Sequence, residues 1–277
     1  MLRYGLPLVP ASLSQFILHF SDRFFLTRYA TESELGLYSL AYRFGMLVSV
    51  FYGIVSMAWG PWAFRVGSLE DGTYHLQRAT TLILFGFALV ASGIILFARP
   101  TIHLMSAPRF WGAADYVPPL AIAYWFFVAQ GPLSVGARLS NRTDALAGAN
   151  MLSALLCLLL SGWLIPLYGA WGAAGVTLVS LSALAATSYM MSRRYRNIGL
   201  SPVVVSASLV LMLLSAILDV LLRPVGWWQL AGRIGTGALL VGVLLWQGQR
   251  HYSLPSVIAF WYRGKDEGIV ARILRGA

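Results

Sequence analysis

Long apolar stretches alternate with short polar segments along almost the whole chain. An α-helix needs roughly 20 residues to cross the hydrocarbon core of a bilayer, and each apolar stretch approaches or exceeds that length. The segments between the stretches are polar or rich in glycine and proline, and none is long enough to form a soluble domain. The pattern predicts an all-α fold, a polytopic transmembrane helix bundle of about eight spans, at 3–29, 35–65, 74–98, 116–140, 145–165, 170–195, 202–222 and 229–249.

Composition supports a membrane protein and excludes several other classes. The chain is 58% hydrophobic and 11% charged, with a mean hydropathy of +0.71, whereas soluble domains carry about 25% charged residues. The net charge is +10, but the basic side chains lie in short loops between apolar runs. A nucleic-acid-binding domain would instead cluster them on one soluble face, so that function is not expected. The single cysteine, Cys157, permits no internal disulfide.

The distribution of arginines predicts the orientation in the membrane. Cytoplasmic loops retain an excess of Lys and Arg. With eight spans, most basic residues fall on the side that holds both termini, including Arg65, Arg138, Arg142, Arg193 and Arg194. Both termini are therefore predicted to be cytoplasmic.

The first span carries a polar stripe. Ser12, Gln15, His19, Asp22 and Arg23 recur at steps of three and four, so they occupy one arc of a helix. A charge at membrane depth costs about 2.5–3.5 kcal/mol on insertion scales and usually faces a bundle interior or a watery cavity. We expect a hydrated cavity beside this stripe. The alternative is a packed bundle in which these groups satisfy one another.

The second span offers a partner for the buried charges. If the turn is centred on 32–33, antiparallel packing places Arg43 at the depth of Asp22, about 15 Å along the helix from the turn. Asp22 is then expected to neutralise Arg23, Arg43 or both. Tyr42 adds an aromatic face and a hydroxyl beside a cation, which suits a sugar or phosphate group; an interfacial tyrosine belt is the competing interpretation.

These residues form the predicted binding site. The candidate substrate-binding residues are Gln15, His19, Asp22, Arg23, Tyr42 and Arg43. No catalytic, cofactor-binding or metal site is expected, because the chain has no Walker-type phosphate loop and its four histidines are scattered. We therefore expect a protein that is not an enzyme and that uses no cofactor.

Other polar groups are assigned to packing. Small polar side chains commonly join membrane helices to each other. We interpret in this way the polar residues that share one face of the fifth span and those that share one face of the fourth. Asp219 and Arg223 are expected to form an ion pair at a helix end. The two lines are Asn150, Ser153, Cys157 and Ser161, and Gln130, Ser134, Arg138 and Asn141.

Four short motifs resemble a known family. They lie at 4–10 (YGLPLVP), 21–26 (SDRFFL), 36–43 (GLYSLAYR) and 169–175 (GAWGAAG). The chain resembles the carboxyl-terminal lobe of polysaccharide biosynthesis flippases. These are O-antigen and related lipid-linked oligosaccharide translocases of the multidrug/oligosaccharidyl-lipid/polysaccharide superfamily. The resemblance is more specific in the first 65 residues than in the rest.

The resemblance implies a transporter in the bacterial inner membrane. Two helical lobes would surround a central cavity, and a polyprenyl-diphosphate-linked glycan would move to the outer leaflet by alternating access. Cationic residues of the cavity would engage the diphosphate or anionic sugars, which by matching motifs assigns that role to Arg23 and Arg43, with Asp22 tuning them. The predicted domains are a six-helix transporter lobe at 1–198, two additional transmembrane helices at 199–249 and a basic cytoplasmic tail at 250–277.

Two questions stay open at this stage. Members of the family contain a further lobe, so the chain is expected to be a fragment, a half that pairs with a separate partner, or one subunit of a homodimer; we favour the fragment. Expected partners are the lipid-linked glycan and membrane lipids, with no nucleic acid. The alternative functions are an ion-coupled multidrug exporter of the same fold, and a membrane glycan polymerase, ligase or acyltransferase.

Overall fold

The regular structure of the chain is helical throughout the part that is described. The computed structural model describes residues 8–69, 71–197, 202–223, 231–238 and 242, and no strand occurs in these ranges. The elements, in chain order, are α1 (Leu8–Tyr29), α2 (Glu32–Gly67), α3 (Gly72–Met105), a 3-10 helix (Pro108–Tyr116), α4 (Val117–Leu133), α5 (Val135–Leu139), α6 (Thr143–Tyr195) and α7 (Pro202–Leu221). The all-α prediction is confirmed.

Five helical segments of the described residues are long and apolar enough to cross a membrane. They are Glu32–Gly67, Gly72–Met105, Pro108–Leu139, Asp144–Tyr195 and Pro202–Leu221. Their length and composition indicate a multi-pass membrane protein. The total of about eight spans stays a prediction, as do the three predicted domains; much of the eighth span, 229–249, lies outside the described residues.

A capping box fixes the start of α2 and so the turn after α1. The Glu34 backbone N–H donates to Thr31 Oγ1 at 3.3 Å. In return, the Thr31 backbone N–H donates to Glu34 Oε2 at 3.2 Å. This reciprocal pair satisfies two backbone donors that a helix start leaves without intrahelical partners. The helix therefore begins at Glu32 and carries Tyr38 and Tyr42 along a defined face.

Helix α6 reverses its direction at Gly169. Gly169 has φ 54° and ψ −129°, which lies outside the helical region. On α1, Leu18 packs in one apolar cluster with both Cys157 and Leu181. A straight helix would separate Cys157 and Leu181, 24 positions apart in the sequence, by about 36 Å. The chain therefore folds back, and the two arms of α6 on either side of Gly169 correspond to the fifth and sixth predicted spans.

Helix α4 lies at the centre of these helices. It packs against α2, α3 and α6. Trp125 is 1% exposed, and its indole Nε1–H donates to the Leu84 backbone oxygen at 2.8 Å. Because this bond satisfies the only polar group of the indole, the ring can be buried without an unpaired donor. The α3–α4 contact is thereby fixed in register.

A buried ion-pair network joins α3, the 3-10 helix and α7. Arg99 Nη2 lies 2.7 Å from Asp115 Oδ1 and 3.0 Å from Asp219 Oδ2. Arg223 Nη2 lies 3.6 Å from Asp115 Oδ1. The expected pairing of Asp219 with Arg223 is therefore corrected: Asp219 pairs with Arg99 and Arg223 with Asp115. Helix α3 extends to Met105 and the 3-10 helix covers Pro108–Tyr116, so the connection after the third predicted span is largely helical. Arg99 ties this connection to the bundle through its ion pairs with Asp115 and Asp219.

We predict that the turn in α6 tolerates only glycine at position 169. The positive φ with ψ −129° is essentially restricted to glycine, and Gly169→Ala is expected to lower the free energy of unfolding by about 1–3 kcal/mol. A Cβ there would also approach Glu34 Oε1 to 3.3 Å. The melting temperature of the purified protein in detergent measures the effect.

The matched control is Gly175→Ala in the second arm of α6. A Cβ at Gly175 meets nothing within 4 Å, and alanine has the higher helix propensity. An unchanged or raised melting temperature is expected for this variant. Equal losses in both variants would show that the turn is not the constraint.

Candidate functional site

The polar stripe of α1 faces the other helices, as predicted, and the opposite arc is exposed. Leu13 is 58% exposed and Phe24 is 72% exposed. Asp22, in contrast, is 2% exposed. Helix α1 packs mainly against α6, and less against α2. The side of α1 that the sequence pattern predicted to face the bundle does so. Of the five stripe residues, Ser12 has a side chain that lies outside the described part of the structure.

Two hydrogen bonds, one from the stripe and one from the adjacent Ser21, join α1 to the first arm of α6. Gln15 Nε2 donates to Asn150 Oδ1 at 3.2 Å. The Ser21 hydroxyl and the Cys157 thiol lie 3.2 Å apart. The polar line predicted on the fifth span thus meets the stripe of α1 side by side. These contacts fit the packing role that the sequence assigned to Asn150 and Cys157.

His19 lies among tyrosine hydroxyls contributed by two helices. Its Nδ1 is 3.3 Å from the Tyr124 hydroxyl of α4 and 3.4 Å from the Tyr42 hydroxyl of α2. The Tyr42 hydroxyl also donates to the His19 backbone oxygen at 3.0 Å. The two tyrosine rings meet edge to face with centroids 5.5 Å apart. The cluster of His19, Tyr42 and Tyr124 therefore holds α1, α2 and α4 together at one level of the bundle.

The carboxylate of Asp22 is held by neutral donors. Tyr38 donates a hydrogen bond to Oδ2, and the Arg23 backbone N–H donates to Oδ1 at 2.8 Å. The Tyr38 hydroxyl also lies 3.1 Å from Thr177 Oγ1, which the turn at Gly169 brings to this position. A buried carboxylate without such partners would be costly. Asp22 therefore joins α1, α2 and the second arm of α6.

This arrangement corrects the predicted charge pairing. No arginine of the described residues lies within 4 Å of the Asp22 carboxylate. The prediction that Asp22 pairs with Arg43 is wrong, because Tyr38 occupies the position opposite Asp22. Asp22 and Arg43 can share a depth along two antiparallel helices and still not meet, because the direction of each side chain around its helix decides which groups come together.

Arg23 lies over an aromatic ring. Its guanidinium carbon is 4.5 Å from the centroid of the Tyr42 ring and 5.9 Å from that of Phe20. These distances fall within the range of cation–π contacts. Its buried Nε has no hydrogen-bond partner among the described residues. Arg23 is therefore positioned by Tyr42 and keeps hydrogen-bonding capacity for an anionic group.

Arg43 lies elsewhere. It is exposed and lines a cavity of about 460 Å³ together with Ser39 of α2 and with Ser106 and Phe110 of the connection after α3. Arg43 follows Tyr42 directly, so its side chain leaves the helix about 100° away from that inward-facing residue. The resemblance implied one cavity that holds both Arg23 and Arg43. The structure differs, because Arg23 does not line the cavity at Arg43.

The six predicted residues thus form one group and one outlier. Gln15, His19, Asp22, Arg23 and Tyr42 lie on the contact surface of α1 with α2, α4 and α6. We call this group, with three further partners, the polar seam. The three partners are Tyr38, Tyr124 and Thr177.

The sequence pattern marked only one of these three partners. Tyr38 shares a face with Tyr42, so the pattern of the second span already pointed to it. Tyr124 and Thr177 lie in apolar segments, and only tertiary packing decides which residues they contact. Among the described residues, no group of three metal-ligating side chains occurs.

Comparisons with known proteins give one match. A family model described as polysaccharide biosynthesis protein matches residues 1–66. No characterised protein and no solved structure matches the chain. Over its first two helices the chain is therefore similar to polysaccharide biosynthesis proteins. Together with the apolar helices, this similarity fits a membrane protein of polysaccharide synthesis.

We predict that Tyr38 and Asp22 stabilise the bundle as a pair. In Tyr38→Phe the buried carboxylate loses a hydrogen-bond donor, which is expected to cost about 1–3 kcal/mol of unfolding free energy. Adding Asp22→Asn is expected to cost less in the Tyr38→Phe background than in the wild type, with a coupling of about 0.5–3 kcal/mol. Chemical unfolding in detergent micelles measures the four proteins of this cycle.

Tyr29→Phe is the control, because Tyr29 is 51% exposed near the end of the same helix. Its stability is expected to equal that of the wild type. A coupling of zero between Tyr38 and Asp22 would contradict the assignment.

Proposed function

We propose that this protein translocates lipid-linked oligosaccharide or polysaccharide precursors across the bacterial inner membrane, with both termini in the cytoplasm. One observation carries the proposal. The match to polysaccharide biosynthesis proteins covers residues 1–66, and this segment includes α1 and nearly all of α2. All six residues predicted to bind the substrate lie within it. The chemistry expected of a carrier site and the family similarity therefore coincide in the same two helices.

Arg23 is proposed to bind the anionic part of the substrate. A guanidinium presents a planar fork of donors that matches a phosphate or carboxylate, and its charge persists at any physiological pH. Stacking on Tyr42 limits the orientations that the side chain adopts. The buried Nε without a partner among the described residues supplies donor capacity that a ligand oxygen would satisfy.

The rest of the polar seam supports Arg23. Asp22 adds negative charge next to it, while Tyr38 and Thr177 keep the carboxylate in place. Gln15 and His19 continue the seam toward the start of α1. Aromatic faces with hydroxyl groups suit the apolar faces and hydroxyls of sugar rings. We assign these groups to positioning and to contacts with the glycan.

Arg43 is proposed as a second, separate anion contact. Its cavity includes two serine hydroxyls, Ser39 and Ser106. Since this cavity and the polar seam lie on different faces of α2, a substrate would meet the two arginines in succession during alternating access. Transport in this scheme depends on binding and conformational exchange, and the chain performs no covalent chemistry on the substrate.

The lobe is proposed to act with further helices. The translocases that the chain resembles enclose their substrate between two lobes, and we assign the described helices to one such lobe. A preceding lobe, a separate partner half or a second copy of the chain would complete the cavity. Membrane lipids and the polyprenyl-diphosphate-linked glycan are the remaining proposed partners.

We predict that Arg23→Gln and Arg43→Gln each reduce glycan translocation. Each variant removes one charge that binds the anionic substrate, and a loss of at least about tenfold is expected, corresponding to ~1.4 kcal/mol. The measurement is the rate at which lipid-linked glycan becomes accessible on the outer leaflet of cells that carry the variant in the native gene. Membrane abundance is measured in parallel.

Matched controls come from the same helices. Arg28→Gln on α1 and Arg65→Gln on α2 remove exposed arginines outside the predicted site, and both are expected to keep the wild-type rate. Normal translocation in the Arg23→Gln, Arg43→Gln double variant would reject the site. Cation-dependent efflux of a lipophilic dye without any effect on glycan would favour the exporter function instead.

A further inference from the structure

An apolar cleft lies between α6 and α7, away from the polar seam. It has a volume of about 520 Å³, within the roughly 300–1,000 Å³ of ligand pockets. Trp125 and Phe126 of α4, Ala186 of α6 and Leu209 of α7 belong to its walls. This cleft is large and apolar enough to accept a hydrocarbon chain.

The cleft exists because α7 packs unevenly on the neighbouring described helices. Helix α7 has its principal contact with α3 and a minor one with α4. The side chains that α7 presents toward the second arm of α6 therefore have no wall directly opposite them. Trp125 forms a rigid floor, since its indole is bonded to the Leu84 backbone oxygen at 2.8 Å. The space is consequently a feature of the helix arrangement.

One end of the cleft is cationic. Exposed Arg193 lines it, and no acidic side chain of the described residues lies within 4 Å of its guanidinium. The neighbouring Arg196 is used differently, because its Nη1 donates to the Gly67 backbone oxygen at 2.7 Å. Arg193 is therefore available to an anionic group at the mouth of the cleft.

A second polar group marks the same end. A small cavity of about 10 Å³ adjoins the cleft and shares Tyr189 and Arg193 with it. Thr80 lines this cavity, is 2% exposed, and its Oγ1 has no hydrogen-bond partner among the described residues. A space of this size holds about one water. A bridging water at Thr80 would satisfy its hydroxyl and reach an anion held by Arg193.

We propose that this cleft binds one anionic phospholipid, with an acyl chain against Phe126, beside the buried Trp125, and the phosphate at Arg193. The predicted orientation places Arg193 on the cytoplasmic side, where anionic lipids attract basic side chains. Basic pockets between transmembrane helices on that side are typical sites for anionic headgroups. The lipid would fill the gap between α6 and α7 and stabilise the position of α7. This site is independent of the proposed translocation.

Photolabelling of the full-length protein tests the site. The protein is reconstituted in phosphatidylcholine vesicles that contain a small amount of phosphatidylglycerol with a photoreactive group at the end of one acyl chain. Labelled positions are mapped by peptide mass spectrometry. We expect labelling of the peptide that carries Trp125, and stronger labelling than with the corresponding phosphatidylcholine probe.

Two variants separate the acyl chain from the headgroup. Ala186 is an exposed residue that lines the cleft, and Ala186→Trp would fill the cleft. This variant is expected to reduce labelling of the peptide that carries Trp125 about tenfold. Met190→Trp is its control, because Met190 is also exposed but lies outside the cleft. Arg193→Gln is expected to reduce the preference for phosphatidylglycerol about fivefold, the factor that ~1 kcal/mol per basic group gives. Arg194→Gln is the matched control and is expected to keep the preference.

Several results would overturn the proposal. Equal labelling by the phosphatidylglycerol and phosphatidylcholine probes in the unmodified protein would show that no anion is recognised. Undiminished labelling of the Trp125 peptide in Ala186→Trp would show that the probe reaches this segment by a route other than the cleft. Equally strong labelling by a photoreactive polyprenol without phosphate would assign the cleft to an isoprenoid chain. The comparison of probes needs no variant, so it remains decisive if Ala186→Trp does not fold.

Discussion

The hydrogen bonds at Asp22 are the constraint on which the described bundle depends. A carboxylate at 2% exposure in an apolar interior is tolerated only when its oxygens accept hydrogen bonds. Tyr38 on α2 supplies one, the backbone N–H of Arg23 supplies another, and Thr177 from the returning arm of α6 contacts Tyr38. Three helices must therefore reach this point together, and Gly169 is the residue that lets α6 return to it.

The same arrangement supports the proposed role of Arg23 in binding. With Asp22 satisfied by Tyr38 and the backbone, the Arg23 guanidinium is not used in a short ion pair and lies on the Tyr42 ring instead. A buried ion pair would have used its donors internally, as it does at Arg99, which is bonded to both Asp115 and Asp219. The two arginines differ in this respect: Arg99 holds helices together, whereas Arg23 keeps donor capacity that the proposed binding role would use.

Packing asymmetry has a separate consequence at the other side of α4. Because α7 contacts α3 far more than α6, an apolar cleft remains beside Trp125. In water such a space would be closed by the hydrophobic effect, whereas in a bilayer lipid chains solvate apolar walls at little cost. A membrane protein can therefore keep this gap, and Arg193 places a positive charge at its mouth, where the proposed anionic headgroup would bind.

The sequence alone determined the class, the helices and the phase of the first helix. A segment that spans lipid must satisfy its backbone hydrogen bonds within a helix or a closed barrel, and apolar stretches of about 20 residues have the length of a helix, so the all-α fold followed from composition and length. The inward direction of Gln15, His19 and Asp22 followed from their spacing, because the helical period is fixed by backbone geometry. The break at 166–169 followed from proline and glycine, and Gly169 is indeed where α6 turns.

Only the tertiary structure decided which polar groups meet. Asp22 and Arg43 lie at similar distances from the turn between their helices, yet rotation around α2 turns Tyr38 toward Asp22 and Arg43 toward another cavity. Tyr124 lies 105 positions beyond its partner His19, and Thr177 lies 139 positions beyond its partner Tyr38, where no local pattern marks them. Partner choice depends on helix rotation and long-range packing, and neither is encoded in the period of a single helix.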